Sequence, residues 1–197
     1  MGPTALQKFF RKILHKNNPF LTSLLFMFRN TETMKTNSIS RGHAALRMGR
    51  VSIARRVYFI TVCCAKRECF LKPDIAARAA ARTLHRLHIE KHITLLAWVL
   101  MPDHMHLLLE LDDSKTLSAS MARINSCIAK AVNEALDRHG PIWQGAYFDR
   151  GLRRNEDIDI AIRYLLNNPI RAGIVNNIEE YSYWNILEWS GPLLSLE

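Results

Sequence analysis

"MPDHMHLLLELDD", Met101–Asp113, is the stretch on which the fold turns. Side chains alternate along a strand, so Met105, Leu107, Leu109 and Leu111 share one face. His104, His106, Leu108 and Glu110 take the other. The first set is a core stripe. The second puts two imidazoles on the open face of a sheet, about 7 Å apart along the strand at ~3.3 Å per residue. Side chains that lean together can share one ion at about 2.0–2.2 Å per ligand. Two structural or surface histidines are the plainer alternative. No Cys or His at a recognisable spacing offers zinc a third N or S ligand, which points to a harder, oxygen-rich site.

Upstream, Met101-Pro102-Asp103 makes a turn, and Ile93–Met101, "ITLLAWVLM", reads as a strand. Before it, residues 72–92 are alanine-rich with Pro73 at the start, a helix. Val57–Cys64, "VYFITVCC", is β-branched and aromatic, another strand. Downstream, Ser114 or Thr116 caps a helix over about 117–138, with Met121, Ile124, Ile128, Ala131 and Ala135 at core spacing. Gly140-Pro141 ends it, and residues 142–154, "IWQGAYFDRGLRR", form a turn and a fourth strand. Asn155 caps a last helix running to about Asn168, before Pro169. The aromatic tail "YSYWNILEW" packs on the body. The order spells β-α-β-β-α-β, the ferredoxin-like split unit. The fold class is α+β: one antiparallel sheet, helices on one face, the other face available for a ligand, and an extra C-terminal helix.

The chain has 197 residues and a net charge of +9. Eleven Lys and Arg but a single acid, Glu32, lie in residues 1–56, so that segment carries +10 and the rest −1. A basic arm on a near-neutral body suits a polyanion, either nucleic acid or an anionic membrane surface. Residues 1–40 read as a basic extension, 41–190 as a single domain led by an arm over 41–56, and 191–197 as a tail. Phe20–Phe28, "FLTSLLFMF", is far short of the ~20 residues that span a bilayer. No small-residue cleavage site follows it, and Met34 is an alternative start. Cys63, Cys64, Cys69 and Cys127 form no CxxC pair and read as reduced thiols of a cytoplasmic protein.

On the last helix, Ile158, Ala161, Ile162 and Leu165 make an apolar face, and Tyr164 and Asn168 stack four apart. That pair is a candidate nucleophile and oxygen ligand; a tyrosine packed with its hydroxyl on a carbonyl is the alternative. Paired histidines, a helix tyrosine and a basic arm together suit phosphodiester cleavage by a phenol. A free phenol titrates near 10, so a cation that offsets developing charge on the phosphate helps.

"MPDHMHLLLEL", "PIWQGAYFDRGLRRNEDI" and "RYLLNNPIRAGIV" resemble the single-tyrosine HUH transposases. "RGHAALRMGRVSIARRVYFITVCCAKRECF" resembles the start of the REP-associated tyrosine transposases. The resemblance runs from about Arg41 to Trp189 and implies that His104 and His106 are metal ligands. It also implies Tyr164 as nucleophile and Asn168 as a polar third ligand, where insertion-sequence relatives often have the longer glutamine. Such enzymes act on single-stranded DNA with Mg²⁺ or Mn²⁺, cutting beside a hairpin to leave a 5′-phosphotyrosine and a free 3′-OH. The REP-associated branch goes with repetitive extragenic palindromes in bacterial genomes; the insertion-sequence relatives are dimers that share active sites, while REP-associated members can be monomeric, so this chain is expected as a monomer or homodimer. Arg41, Gly42, His43, Arg47 and Arg50 would contact the foot of the hairpin, the alternative being a solvated basic arm. Trp143, Gln144, Tyr147 and Phe148 could stack unpaired bases or belong to the core. Arg150, Arg153 and Arg154 would meet phosphates. A catalytically silent DNA-binding regulator and a metal-dependent RNA-processing enzyme on the same scaffold are the rival readings.

Overall fold

The computed structural model describes residues 52–152 and 155–188. Arg41, Gly42, His43, Arg47, Arg50, Arg153 and Arg154 lie outside the described residues, as do Phe20–Phe28, Met34 and the 191–197 tail. The described strands are β1 (Val57–Cys64), β2 (Thr94–Met101), β3 (His104–Glu110), β4 (Trp143–Gly151) and β5 (Trp184–Ile186). The helices are α1 (Asp74–Ile89), α2 (Leu117–Ala135), α3 (Asn155–Leu166) and the short α4 (Asn168–Arg171). Among the described residues no helix is long and apolar enough to cross a membrane.

The sheet order is β4-β1-β3-β2-β5, with every neighbouring pair antiparallel. The first four strands have the order that the β-α-β-β-α-β unit requires, so the α+β ferredoxin-like expectation holds. The fifth strand was not foreseen beyond an aromatic tail. It has three residues, too few for alternation to show, and it lies on the outer edge of β2. Tyr181 helps fix it, its hydroxyl donating to the Leu100 carbonyl at 2.6 Å.

Local chemistry explains the element ends. Thr116 Oγ1 accepts from the Ala119 N–H at 3.2 Å, opening α2. Pro73 sits just ahead of α1, and Asp74 places an anion in its first turn. An irregularity between Leu95 and Ala97 shifts the β2 register by one residue. Leu95 and Trp98, three apart, therefore both reach the core.

That core lies between the sheet and α1/α2. Met105, Leu107, Leu109 and Leu111 meet Ala76, Ala80, Leu84 and Leu87 of α1 and Met121, Ile124, Ile128 and Val132 of α2. The stripe read from the β3 sequence is the one observed.

The second face differs from the expectation: it is covered, not open. α3 lies against β2 and β3 and buries Ile158, Ala161, Ile162 and Leu165. His106 and Leu108 beneath it have no exposed surface. The reason is apolar area. Phe59, Ala97, Val99 and Leu108 face the same way as His106, and α3 brings an apolar stripe to match.

Burial also sets a pH limit. It pushes the Cys64 thiol from 9.0, and the Tyr181 phenol from 10.0, up to about 12. Over that interval the folded state keeps protons that the unfolded chain has lost, so stability falls as pH rises. The urea midpoint should decline from about pH 9 to 12, and Cys64→Ala should flatten the early part of the decline. A profile level from pH 8 to 11 would contradict this.

Candidate active site

The second sheet face carries the chemistry. β3 sits at the centre of the sheet, with β1 on one side and β2 on the other. Its two histidines therefore have neighbours on both sides. Thr61 and Val99 flank His106, and Cys63 and Met101 flank His104. The imidazoles lean together to 4.8 Å between centroids, nearly perpendicular.

Each histidine is held by one ring nitrogen. His106 Nδ1 lies 2.8 Å from Thr61 Oγ1. His104 Nδ1 lies 2.6 Å from Asp103 Oδ1. With Nδ1 of both anchored, Nε2 is the nitrogen of each that could take a metal. Burial, then electrostatic repulsion from His104, Arg171 and Arg67, holds His106 well below the usual histidine range. It stays neutral at physiological pH, the form that binds metal.

Tyr164 reaches this pair from α3. Its ring stands edge-on to His106 at 6.5 Å and to Phe59 at 6.0 Å. The Arg171 guanidinium lies 5.1 Å from the ring centroid. Arg171 is held there by the helix end: Gly173 turns left-handed at φ +67°, and the Ile174 N–H returns to the Pro169 carbonyl at 3.0 Å. Tyr164 is 2 % exposed. Burial pushes its phenol up to about 12, and Arg171 opposes the rise.

Asn168 completes the group. Pro169 has no N–H to give the Leu165 carbonyl. The Asn168 Nδ2 donates there instead at 3.3 Å, and to the Tyr164 carbonyl at 2.8 Å. Its nitrogen is thereby committed to the helix, and Oδ1 remains as acceptor. Its side chain opposes, in small part, the fall of the His106 imidazole below the usual range. His104, His106, Tyr164 and Asn168, chosen from sequence, thus meet at one place within a single chain.

The donor set is two imidazole nitrogens and an amide oxygen. Among the described residues no group of three or more His, Cys, Asp or Glu could hold a metal. Two histidines and an amide suit a divalent cation that keeps several waters, such as Mg²⁺ or Mn²⁺, better than tetrahedral zinc. These residues could hold such an ion.

The stacking and phosphate candidates lie on β4. Trp143 donates from Nε1 to the Asn125 carbonyl at 3.0 Å, and its ring packs on the α1/α2 core, as does Tyr147. Gln144 follows it on the same strand, half-buried. Phe148 pairs with Thr61 and Arg150 with Phe59, which puts both on the histidine side. Sequence reasoning did not single out Thr61, Asp103, Arg67 or Arg171. Asp103 was signalled by its place beside His104. Arg171 lies seven residues, two helical turns, after Tyr164.

A ferredoxin-like sheet thus carries two histidines on its central strand, with a tyrosine helix across them. The family described as "Transposase IS200 like" matches residues 53–168, from the lead into β1 as far as Asn168. The chain belongs to that family of IS200-like transposases. It is also similar to a Haemophilus influenzae protein named as a REP-associated tyrosine transposase, 24% identical over 94 residues. That match takes in 43% of this chain and 53% of the relative, so the chain spans about half the length of the curated protein it matches. A solved REP-associated tyrosine transposase bound to a REP hairpin superimposes with TM-score 0.57 at 20% identity, over 74% of this chain and 92% of that one. A bacterial tRNA(His) guanylyltransferase-like protein in complex with GTP gives TM-score 0.51 at 12% identity, over 85% of each chain. Both likenesses concern the fold alone.

Proposed function

We propose that the protein is a divalent-cation-dependent transposase that nicks and rejoins single-stranded DNA beside REP-type hairpins. The observation that carries the reading is the meeting of Tyr164 with His104, His106 and Asn168 in one chain. A tRNA(His) guanylyltransferase-like protein of similar fold exists, so fold does not decide the chemistry; the side chains do. The family membership and the hairpin-bound relative support DNA as substrate.

In this reading Tyr164 Oη attacks the scissile phosphorus. The P–O3′ bond breaks, the 3′ oxygen takes a proton, and a 5′-phosphotyrosine remains for a later 3′-OH to reverse. The chemistry supplied by bound Mg²⁺ or Mn²⁺ is polarisation of the phosphate. His104, His106 and Asn168 would hold the ion. Arg171 stabilises negative charge at the phenol, and Arg150 lies on the same side for the strand. In this reading the tyrosine and histidines of one chain form the site.

The test is a labelled single-stranded DNA hairpin incubated with the protein and Mn²⁺. A covalent adduct on a denaturing gel, absent with EDTA and absent for the ribonucleotide version, is the expected result. Tight binding without any adduct would favour the regulator reading, and cleavage of only the ribonucleotide hairpin would favour RNA processing.

A further inference from the structure

We propose that Asp103 and Arg67 are positioning residues that fix His104 as a ligand of the divalent cation, a proposal that rests on the function above. The carboxylate of Asp103 is divided between two partners. Oδ1 meets His104 Nδ1 at 2.6 Å, and Oδ2 accepts from Arg67 Nε at 3.1 Å. Arg67 Nη1 donates onward to Cys63 Sγ at 3.0 Å, so the guanidinium is held at two points. The chain Arg67–Asp103–His104 sets the tautomer: a carboxylate accepts only, so Nδ1 must carry the proton and Nε2 the lone pair. A carboxylate behind a ligating imidazole also raises its basicity.

The backbone around this chain is built to hold it still. The Cys64 N–H donates to the Asp103 carbonyl at 2.8 Å, and the Leu71 N–H to the Pro102 carbonyl at 3.0 Å. The β2–β3 turn is thereby pinned to the end of β1 and to the segment that follows it. Arg67 reaches Asp103 from a turn in which two successive non-glycine residues are left-handed, Lys66 at φ 52° and Arg67 at φ 60°. Such conformations are costly. A half-exposed ion pair contributes little stability in return. Strain of this kind, adjoining the histidines, is accounted for by what it aims rather than by what it stabilises.

The experiment measures Mn²⁺ binding by the loss of the free-ion electron paramagnetic resonance signal, for the full chain and its variants, without DNA. Asp103→Asn should weaken Mn²⁺ binding about 10–100-fold, the usual effect of removing such a partner. Arg67→Met should weaken it several-fold, and Arg67→Lys should restore part. A second measurement needs no variant: the ¹⁵N shifts of His104 in the metal-free protein should report the Nδ1–H tautomer. Wild-type binding with undiminished binding by Asp103→Asn would overturn the proposal, as would the Nε2–H tautomer. No Mn²⁺ binding by the wild type would instead overturn the cation-dependent reading on which it rests.

Discussion

Nicking of a single-stranded hairpin should fall by at least about three orders of magnitude in Tyr164→Phe, while hairpin binding should stay near the wild-type level. The substitution removes one oxygen and nothing else. The ring keeps its edge contacts with Phe59 and His106 and its place under Arg171. The stability change should therefore stay within about 1.5 kcal/mol, the scale of one hydrogen bond. Chemistry and folding are separated in a single variant. The measurement is single-turnover cleavage with adduct formation, beside a filter-binding curve. Undiminished cleavage would remove Tyr164 from the mechanism and leave the meeting of side chains as packing.

The same tyrosine shows how a resting site differs from a reacting one. A phenol raised to about 12 by burial is a poor nucleophile at neutral pH. Arg171 is exposed and lies against the ring. The proposed attack would need the hydroxyl uncovered, and a phosphate's charge would draw the guanidinium away.

Much of this was legible in the residues. Alternation along β3 separated the core stripe from the histidine face, and i, i+4 spacing put Tyr164 and Asn168 together, though Asn168 opens α4 rather than belonging to α3. The open sheet face was the misreading. Leu108 lies between His106 and Glu110 on that face, and α3 has an apolar stripe of its own. Together they called for mutual burial. What no spacing rule reaches is the docking itself, a contact between segments some fifty residues apart in the chain. The tie from Arg67 to Asp103 was out of reach for the same reason. It depends on two left-handed residues that sequence does not single out, since neither is glycine or asparagine.

His106→Ala should lose nicking as completely as Tyr164→Phe, and should also unfold more easily, by about 2–4 kcal/mol. His106 is fully buried at the centre of the sheet, so truncation leaves a cavity and strands the Thr61 hydroxyl. His104→Ala should lose nicking too, at a cost nearer about 1 kcal/mol, because Asp103 keeps Arg67 as partner. Stability and catalysis come apart in the double variant Thr61→Val/His106→Leu. Both hydrogen-bonding partners are then apolar and the cavity is largely filled, so most of the lost stability should return. Nicking should not, since leucine offers no lone pair to a cation. Urea melts and hairpin cleavage on the same preparations decide it. A double variant that folds and cuts like the wild type would reduce His106 to a core residue. One that folds but does not cut separates what the imidazole does for the sheet from what it does for the phosphate.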